Sequence, residues 1–531
     1  MKVVFVTGGV LSGLGKGVAA ASIGHLLSHE YRVIPVKCDG YLNTDPGTMN
    51  PTEHGEVFVL EDGGEVDMDF GHYERFLRVH CKSEWSLTMG KVFERVMKRE
   101  RKGDYLGKTV QFIPHVTDEI KAWWRRVAQE EGAEVLIVEI GGTIGDIENE
   151  LYVEAARQLA LELGHGCALF AHLTYAPILG AVGEQKSKPT QQSVTLLRQR
   201  GINPDILLVR SESQLEQGVR AKIGMFASLP TSRVFNLPNV RDIYDLPAVI
   251  ESQGMLPALN ELLELKATHN TCHWSKLIER LHEPEHALVV GIAGKYTQLG
   301  DSYASIAEAL KHCAAATRTA ITMRLIETSE LEHGDVAKAL AGVHAVIVPG
   351  GFGNRGIEGK ISIIKYCREH DIPFLGICYG MQLAVVEFAR NVCGLDAHTR
   401  EVRHDAPHPV IDLLPEQHSI AEKGGTMRLG NYIAHIEPST RVHELYGTSA
   451  SERHRHRYEV NPDYHGILRR HGMVFSGTSR GGVVAEFMEL PDKRYFVGTQ
   501  GHPELKSRLE QPAPLFLGLV QAALTIQRET S

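Results

Sequence analysis

Val3 to Leu27 reads VVFVTGGVLSGLGKGVAAASIGHLL. Val3 to Thr7 is an apolar, β-rich run, Gly8 to Gly17 is rich in glycine, and VAAASIGHLL has helical composition. Strand, glycine loop closing on Gly-Lys, then helix is the layout of a phosphate-cradling loop. Glycines let backbone N–H groups approach anionic oxygens, and Lys16 adds charge at the terminal phosphates. The match to G-x-x-x-x-G-K-[ST] is imperfect: five residues separate Gly9 from Gly15, and Gly17 stands where a metal-binding Ser or Thr would be. A metal beside such a loop must then be held by carboxylates from elsewhere. The candidates are Asp69, in EVDMDFGHYERF, and Glu139, which closes the buried-strand run EVLIVEI.

Outward from this unit, up to about Leu265, the runs VIPVK, EVLIVEI, CALFAHL and DILLVR alternate with helical segments. That alternation predicts a doubly wound α/β sheet. KATHNTCHWSKLIERLHEPEH then lacks strand pattern and reads as a linker with one helix, before ALVVGIAGKY restarts the alternation with VHAVIVPGGFG and PFLGICYG. The expected organisation is two doubly wound α/β domains, residues 1–265 and 286–531, joined by a linker at 266–285.

The second half carries its own chemistry. Pro373 to Ile377 is a short apolar strand and Met381 to Ala389 is helical, so Cys378 falls on a sharp turn between Gly376 and Gly380. This is the G-x-C-x-G form of a nucleophile elbow. A helix N-terminus beyond the sulfur stabilises thiolate. His502 and Glu504, in TQGHPEL, supply a base and a carboxylate to orient it.

Global composition restricts the remaining classes. The chain of 531 residues is long enough for two or more substantial cores. Its net charge of -9 argues against general binding of nucleic acid or membrane. Eight cysteines show neither CxxC nor regular spacing, which fits a reducing cytoplasm and gives no zinc or disulfide framework. The longest apolar stretch, CALFAHLTYAPILGAVG, is broken by His172 and Pro177 and predicts no membrane span.

Nearly the whole chain resembles the CTP synthase family, an N-terminal P-loop-like amidoligase domain fused to a class I glutamine amidotransferase. The resemblance rests on GGVLSGLGKG, DPGTMNPTEHGEVFVLEDG, HYERF, RKGDYLGKTVQFIPH, VEIGGTIGDIE, KSKPTQQSV, VPGGFGNRG, GGTMRLG and RHRHRYEVN, in family order over both halves. It implies ATP-dependent phosphorylation of the 4-oxygen of UTP, glutamine hydrolysis through a thioester, and ammonia passing internally to displace the phosphate.

The resemblance also implies site residues. Gly13, Leu14, Gly15, Lys16, Gly17 and Val18 would cradle ATP, with Pro238, Asn239 and Val240 near its base and Lys37 positioning the reacting groups. Asp69 and Glu139 would hold magnesium. Ser12, Asp146, Ile147, Glu148, Lys186, Ser187, Lys188, Pro189, Thr190, Gln191 and Lys222 correspond to the UTP and CTP site. Gly351, Tyr379, Gly380, Met381, Gln382, Glu401 and Arg457 correspond to the glutamine site, with Gly351 and the backbone after Cys378 as oxyanion donors. Arg355, Gly356 and Thr426 to Arg428 match regions tied to activation by GTP. A cytoplasmic homotetramer that stacks into filaments is the implied assembly.

Three departures stand out: Tyr379 replaces a smaller aliphatic residue, Gly501 an aromatic one, and Asn239 an acidic one. Two other readings share much of this pattern. One is an amidoligase with a different acceptor, such as a corrinoid; the other is a silent, filament-forming paralogue.

Overall fold

The computed structural model describes residues 1–49, 55–180, 183–268, 272–295, 300–351, 354–413 and 427–530. They form two compact units: Met1–Pro46 with Asp69–Ser275, and Gly47–Met68 with Lys276–Ser531. The sequence division differs in one place, at the first of two boundaries. Residues 47–68 belong to the second unit, while the later boundary falls inside the helix Cys272–His282, within the 266–285 linker. The physical reason for the first is visible. Arg455 pairs with Glu65 at 2.7 Å and bonds the Gly47 carbonyl, while Arg453 donates to the Val59 carbonyl at 3.1 Å.

The first unit is built on a seven-stranded parallel sheet. Its order is Ser86–Thr88, Val33–Asp39, Val135–Ile140, Lys2–Gly8, Ala168–Tyr175, Ile206–Arg210 and Val234–Leu237. Lys2–Gly8 is central, flanked on both sides and buried from Val3 onward, which is why its sequence is a continuous apolar run. The helix Lys16–Leu27 is buried from Ala19 to Leu27 and packs on the helix Asp69–Leu77. Its small residues suit a helix covered on most faces.

The second unit holds a nine-stranded mixed sheet. Thr319–Glu327, His286–Gly294, Ala345–Val348, Phe374–Ile377 and Phe496–Thr499 run parallel. Val484–Glu489, Val474–Ser479, Arg428–Ile436 and Ser449–His456 then extend the sheet by antiparallel pairing. One core cluster, including Ile363, Phe374 and Val385, covers one face; another, including Leu288, Leu375 and Phe516, covers the other.

Candidate active site

In the second unit, Ile377 pairs with Thr499 in parallel register, which brings residue 378 and residues 500–504 to the same sheet edge. Cys378 alone separates the strand Phe374–Ile377 from the helix Tyr379–Asn391. Its φ of 52° is left-handed for a non-glycine residue, a strain of about 1–3 kcal/mol. The Cys378 N–H offsets it by donating to the Thr499 carbonyl at 2.7 Å. A Cβ at Gly380 would overlap the Val348 carbonyl oxygen, so only glycine lets this helix start so close to the sheet.

The Cys378 sulfur lies 3.8 Å from the Arg455 carbonyl and accepts from Gln500 Nε2 at 3.5 Å. His502 Nδ1 and Glu504 Oε1 are 2.7 Å apart. His502 Nε2 has no hydrogen-bond partner; it and the Cys378 Cβ both lie against Gly350. Burial disfavours a charged His502, but Glu504 and the Cys378 sulfur outweigh it and hold the ring well above its ordinary pKa. A carboxylate-backed imidazole beside a thiol at a helix N-terminus can move the thiol proton and return it to a leaving amine.

A cavity of about 600 Å³ opens on this group, within the usual range for a small-ligand site. Gly350, Gly351, Arg457 and His502 line it, together with Thr48, Glu56 and Val59 from residues 47–68. Arg457 can meet a carboxylate there. The other residues expected at glutamine divide by role. Tyr379 and Met381 turn their side chains into the core, which leaves only their backbone for a ligand. The buried Gln382 amide donates to the Tyr458 carbonyl at 2.7 Å and to Gln500 at 3.1 Å. Glu401 is half-buried and close enough to act on Tyr379 and Lys295 electrostatically. The Tyr379 ring lies under the Lys360 ammonium, 5.6 Å from it, which accommodates that departure.

In the first unit, the expected nucleotide residues lie on or beside loops following the carboxyl ends of parallel strands, the usual ligand edge of such sheets. Gly15, at φ 89°, caps the helix carrying Lys16, and Lys16 donates to the Gly142 carbonyl at 2.8 Å. Asp69 begins its own helix and is ion-paired to Lys37. A Cβ at Gly17 would overlap Asp69 Oδ1. Thus the carboxylate of Asp69 fills the space where a hydroxyl side chain would stand in the usual motif.

Glu139 lies opposite Lys37 on adjacent strands and accepts a hydrogen bond from Tyr73. Burial, reinforced by Asp69, pushes Glu139 up to about 7. Burial acts in the same direction on Asp69, but Lys37 and His72 outweigh it and hold Asp69 down at about 2.

Ser12, Asp146, Ile147, Glu148, Lys188 and Lys222 are exposed, and Lys186 pairs with Glu184 at 2.5 Å. Thr190 is buried and bonds the Tyr175 carbonyl, and Gln191 donates to Ser187. Pro238 accepts from Arg210, while Asn239 is exposed. Arg428 is buried against Glu486 at 2.5 Å and stacked on Tyr432, so its guanidinium is already engaged. Arg355 is exposed, and Thr426 lies outside the described residues.

Sequence reading missed Gln500, Tyr73 and the tie made by His172. His172 bridges Thr7 Oγ1 at 2.8 Å and Ser193 Oγ at 2.7 Å; burial and Lys16 push it down to about 3, keeping it neutral. Gln500 sits inside the quoted TQGHPEL, but no pattern separates a glutamine beside a thiol from a packed one.

The first half of the chain matches the family described as CTP synthase N-terminus, over residues 2–265, and the second matches glutamine amidotransferase class-I, over residues 298–522. It is 50% identical over 533 residues to the CTP synthase of Borreliella burgdorferi, covering 99% of each chain. To the CTP synthase of Thermococcus gammatolerans it is 51% identical over 527 residues, covering 98% of each. Among solved structures it is similar to the Trypanosoma brucei CTPS glutaminase domain with bound acivicin, at 35% identity and a TM-score of 0.42, over 45% of this chain and 94% of that one. With both halves matched in order and half of all residues shared along its length, the chain belongs to the CTP synthase family.

Proposed function

We propose that this chain aminates UTP to CTP, with ATP as co-substrate and the amide of glutamine as nitrogen source. The observation that carries this reading is the elbow: Cys378 at φ 52° on a helix N-terminus, beside the His502–Glu504 pair, in a cavity that also holds Arg457.

Glutamine enters that cavity with its carboxylate on Arg457. The Cys378 proton passes to His502 Nε2, and the sulfur attacks the amide carbon. Backbone N–H groups at Gly351 and Tyr379 receive the charge that develops on oxygen. His502 returns the proton to the departing nitrogen, and ammonia leaves a glutamyl thioester that water hydrolyses. Glu504 holds the ring through Nδ1.

In the first unit the loop from Gly13 to Val18 receives the ATP phosphates, and Lys16 meets the transferred charge. The 4-oxygen of UTP takes the γ-phosphoryl group, which makes it a good leaving group. Ammonia then attacks C4 and expels phosphate. Lys186, Lys188 and Lys222 bind the UTP triphosphate as point charges. His172 holds the end of the strand Lys2–Gly8 to the helix Lys188–Gln199, and so positions the phosphate loop.

Asp69 and Glu139 would hold magnesium. The donor set fits a hard divalent cation: the buried Glu139 carboxylate, whose proton affinity Asp69 raises and Lys37 and Lys16 lower, and the half-buried Asp69 carboxylate. Bound there, the ion would shield triphosphate charge. GTP as activator, a homotetramer, filaments and a cytoplasmic location rest on family resemblance. Among the described residues no helix is long and apolar enough to cross a membrane.

The test is incubation with UTP, ATP, magnesium and glutamine, with and without GTP, following CTP. Absence of CTP under every condition would overturn the assignment.

A further inference from the structure

Behind the His502–Glu504 pair lies a second buried carboxylate that the reaction scheme does not use. Glu452 sits on the strand Ser449–His456, with 5% of its surface exposed. Its Oε1 accepts from the Tyr446 hydroxyl at 2.6 Å, and its Oε2 is buried with no hydrogen-bond partner. Glu504 likewise has one buried oxygen, Oε2, without a partner.

Backbone geometry fixes Glu452 against the turn that carries the base. The His502 N–H donates to the Arg453 carbonyl at 2.7 Å, and Lys506 Nζ donates to the Ser451 carbonyl at 2.8 Å. These two bonds grip the strand on either side of Glu452. A Cβ at Gly501 would lie 2.8 Å from the Glu452 Cβ. Glycine at 501 is therefore what lets Glu452 approach the turn.

We infer that Glu452 is a positioning residue of the thiol site: held by Tyr446 against the Gly501–Glu504 turn, its carboxyl sets the charge behind His502 and so governs how readily Cys378 gives up its proton. The inference rests on Cys378 and His502 acting as the glutaminase pair.

The surroundings give the direction of the effect. Tyr446 faces Glu452 from the helix Arg441–Tyr446, Glu504 and Lys506 from the turn Pro503–Lys506, Tyr432 from the paired strand, and Arg453 from its own strand. Burial pushes the carboxyl up to about 7, Tyr446 and Lys506 oppose that, and Glu504 adds to it. Below that pH Glu452 is neutral. Above it, a second negative charge stands behind His502. That charge favours the imidazolium formed when the ring takes the thiol proton, and so favours the transfer.

The test compares wild type, E452Q and Y446F in glutamine hydrolysis, with ATP, UTP and GTP present, across the pH range on both sides of neutrality. Inactivation by iodoacetamide, followed as loss of glutaminase activity, reads the thiolate independently of turnover. Gln mimics the neutral acid, so the E452Q deficit should open with rising pH to on the order of three- to tenfold, the size of half to one pKa unit at His502. Y446F keeps the carboxyl but removes the donor that favours its charged form, so it should move the upper rise to higher pH. A constant ratio of E452Q to wild type across pH, or superposed profiles, overturns the inference. So does a Y446F profile that does not move, which also decides the matter if E452Q fails to fold. Failure of wild type to hydrolyse glutamine at any pH would instead overturn the underlying assignment of Cys378.

Discussion

The same device, a strand feeding the N-terminus of a helix, appears at both sites and does opposite work because the connecting loops differ. Between Gly8 and Lys16 the chain spends residues 9–15 on the turn. A wide loop turns backbone N–H groups outward and makes a cradle for anions. Between Ile377 and Tyr379 it spends one residue, and that residue is forced to a positive φ. A turn so tight cannot wrap a phosphate; it presents one side chain at the helix N-terminus, as a nucleophile requires. If the wide loop receives phosphates as proposed, loop length and not element type separates the two chemistries.

Breaking one site while sparing the other is the strongest check on this contrast. Cys378→Ala should lower glutamine-dependent CTP synthesis by a factor on the order of 10³ or more, and free ammonia should restore it. Lys16→Ala should lose synthesis with both donors while retaining glutaminase activity. CTP assays with each donor read both outcomes; loss of ammonia-dependent synthesis in Cys378→Ala would mean that the thiol serves the first unit too.

The wide loop has a point of its own to break. Gly17→Ala places a methyl group on Asp69 Oδ1. Synthesis with either donor should fall on the order of 10²-fold, about 3 kcal/mol of transition-state stabilisation, with glutamine hydrolysis retained. Full synthesis would show that Asp69 can leave Gly17 without cost.

His172→Ala sharpens the comparison further, since at the one-residue turn it is Gln500 that ties the nucleophile to the following helix through Gln382. Removing the ring leaves two hydroxyls without their partner and should cost about 1–3 kcal/mol of stability. The KM for ATP should rise more than kcat falls. Calorimetry and steady-state kinetics check the pair, and an unchanged KM would make His172 a packing residue only.

A pH dependence of stability reads the buried carboxyl behind the turn. Glu452 keeps its proton in the folded protein up to about 7, whereas an unfolded glutamate loses it near ~4.3. Between these values this carboxyl keeps its proton only in the folded state, so its contribution to stability falls as pH rises, by up to about 4 kcal/mol. E452Q should flatten the dependence of the thermal midpoint in that window. A difference in stability between wild type and E452Q that does not fall through it would contradict the assignment.

Much of this was legible in sequence because it is local. The strand at Val3, the glycine loop, the elbow at Cys378 and the His502–Glu504 spacing each declare themselves within a few residues. The contacts between distant segments do not. Nothing in the run from Gly47 to Met68 announces that Glu65 will pair with Arg455, nor that Asp69 will occupy the space left by Gly17. Gln382 and Met381 look alike as neighbours of a nucleophile; only the burial of the first helical turn sends one to Tyr458 and Gln500 and the other into the core. Buried partners such as Tyr73 and Glu452 depend on which faces the sheets cover, a tertiary property with no short-range signal.

If nitrogen released at the one-residue turn is consumed at the wide loop, the exocyclic amine of CTP comes from the glutamine amide without mixing with solvent ammonia. The direct test supplies glutamine labelled with ¹⁵N at the amide, together with UTP, ATP, magnesium, GTP and unlabelled ammonium, and follows the exocyclic amine of CTP by mass spectrometry. CTP should carry the label in excess of its share of the free ammonia pool. Label diluted to the composition of that pool, or no CTP at all, would contradict it.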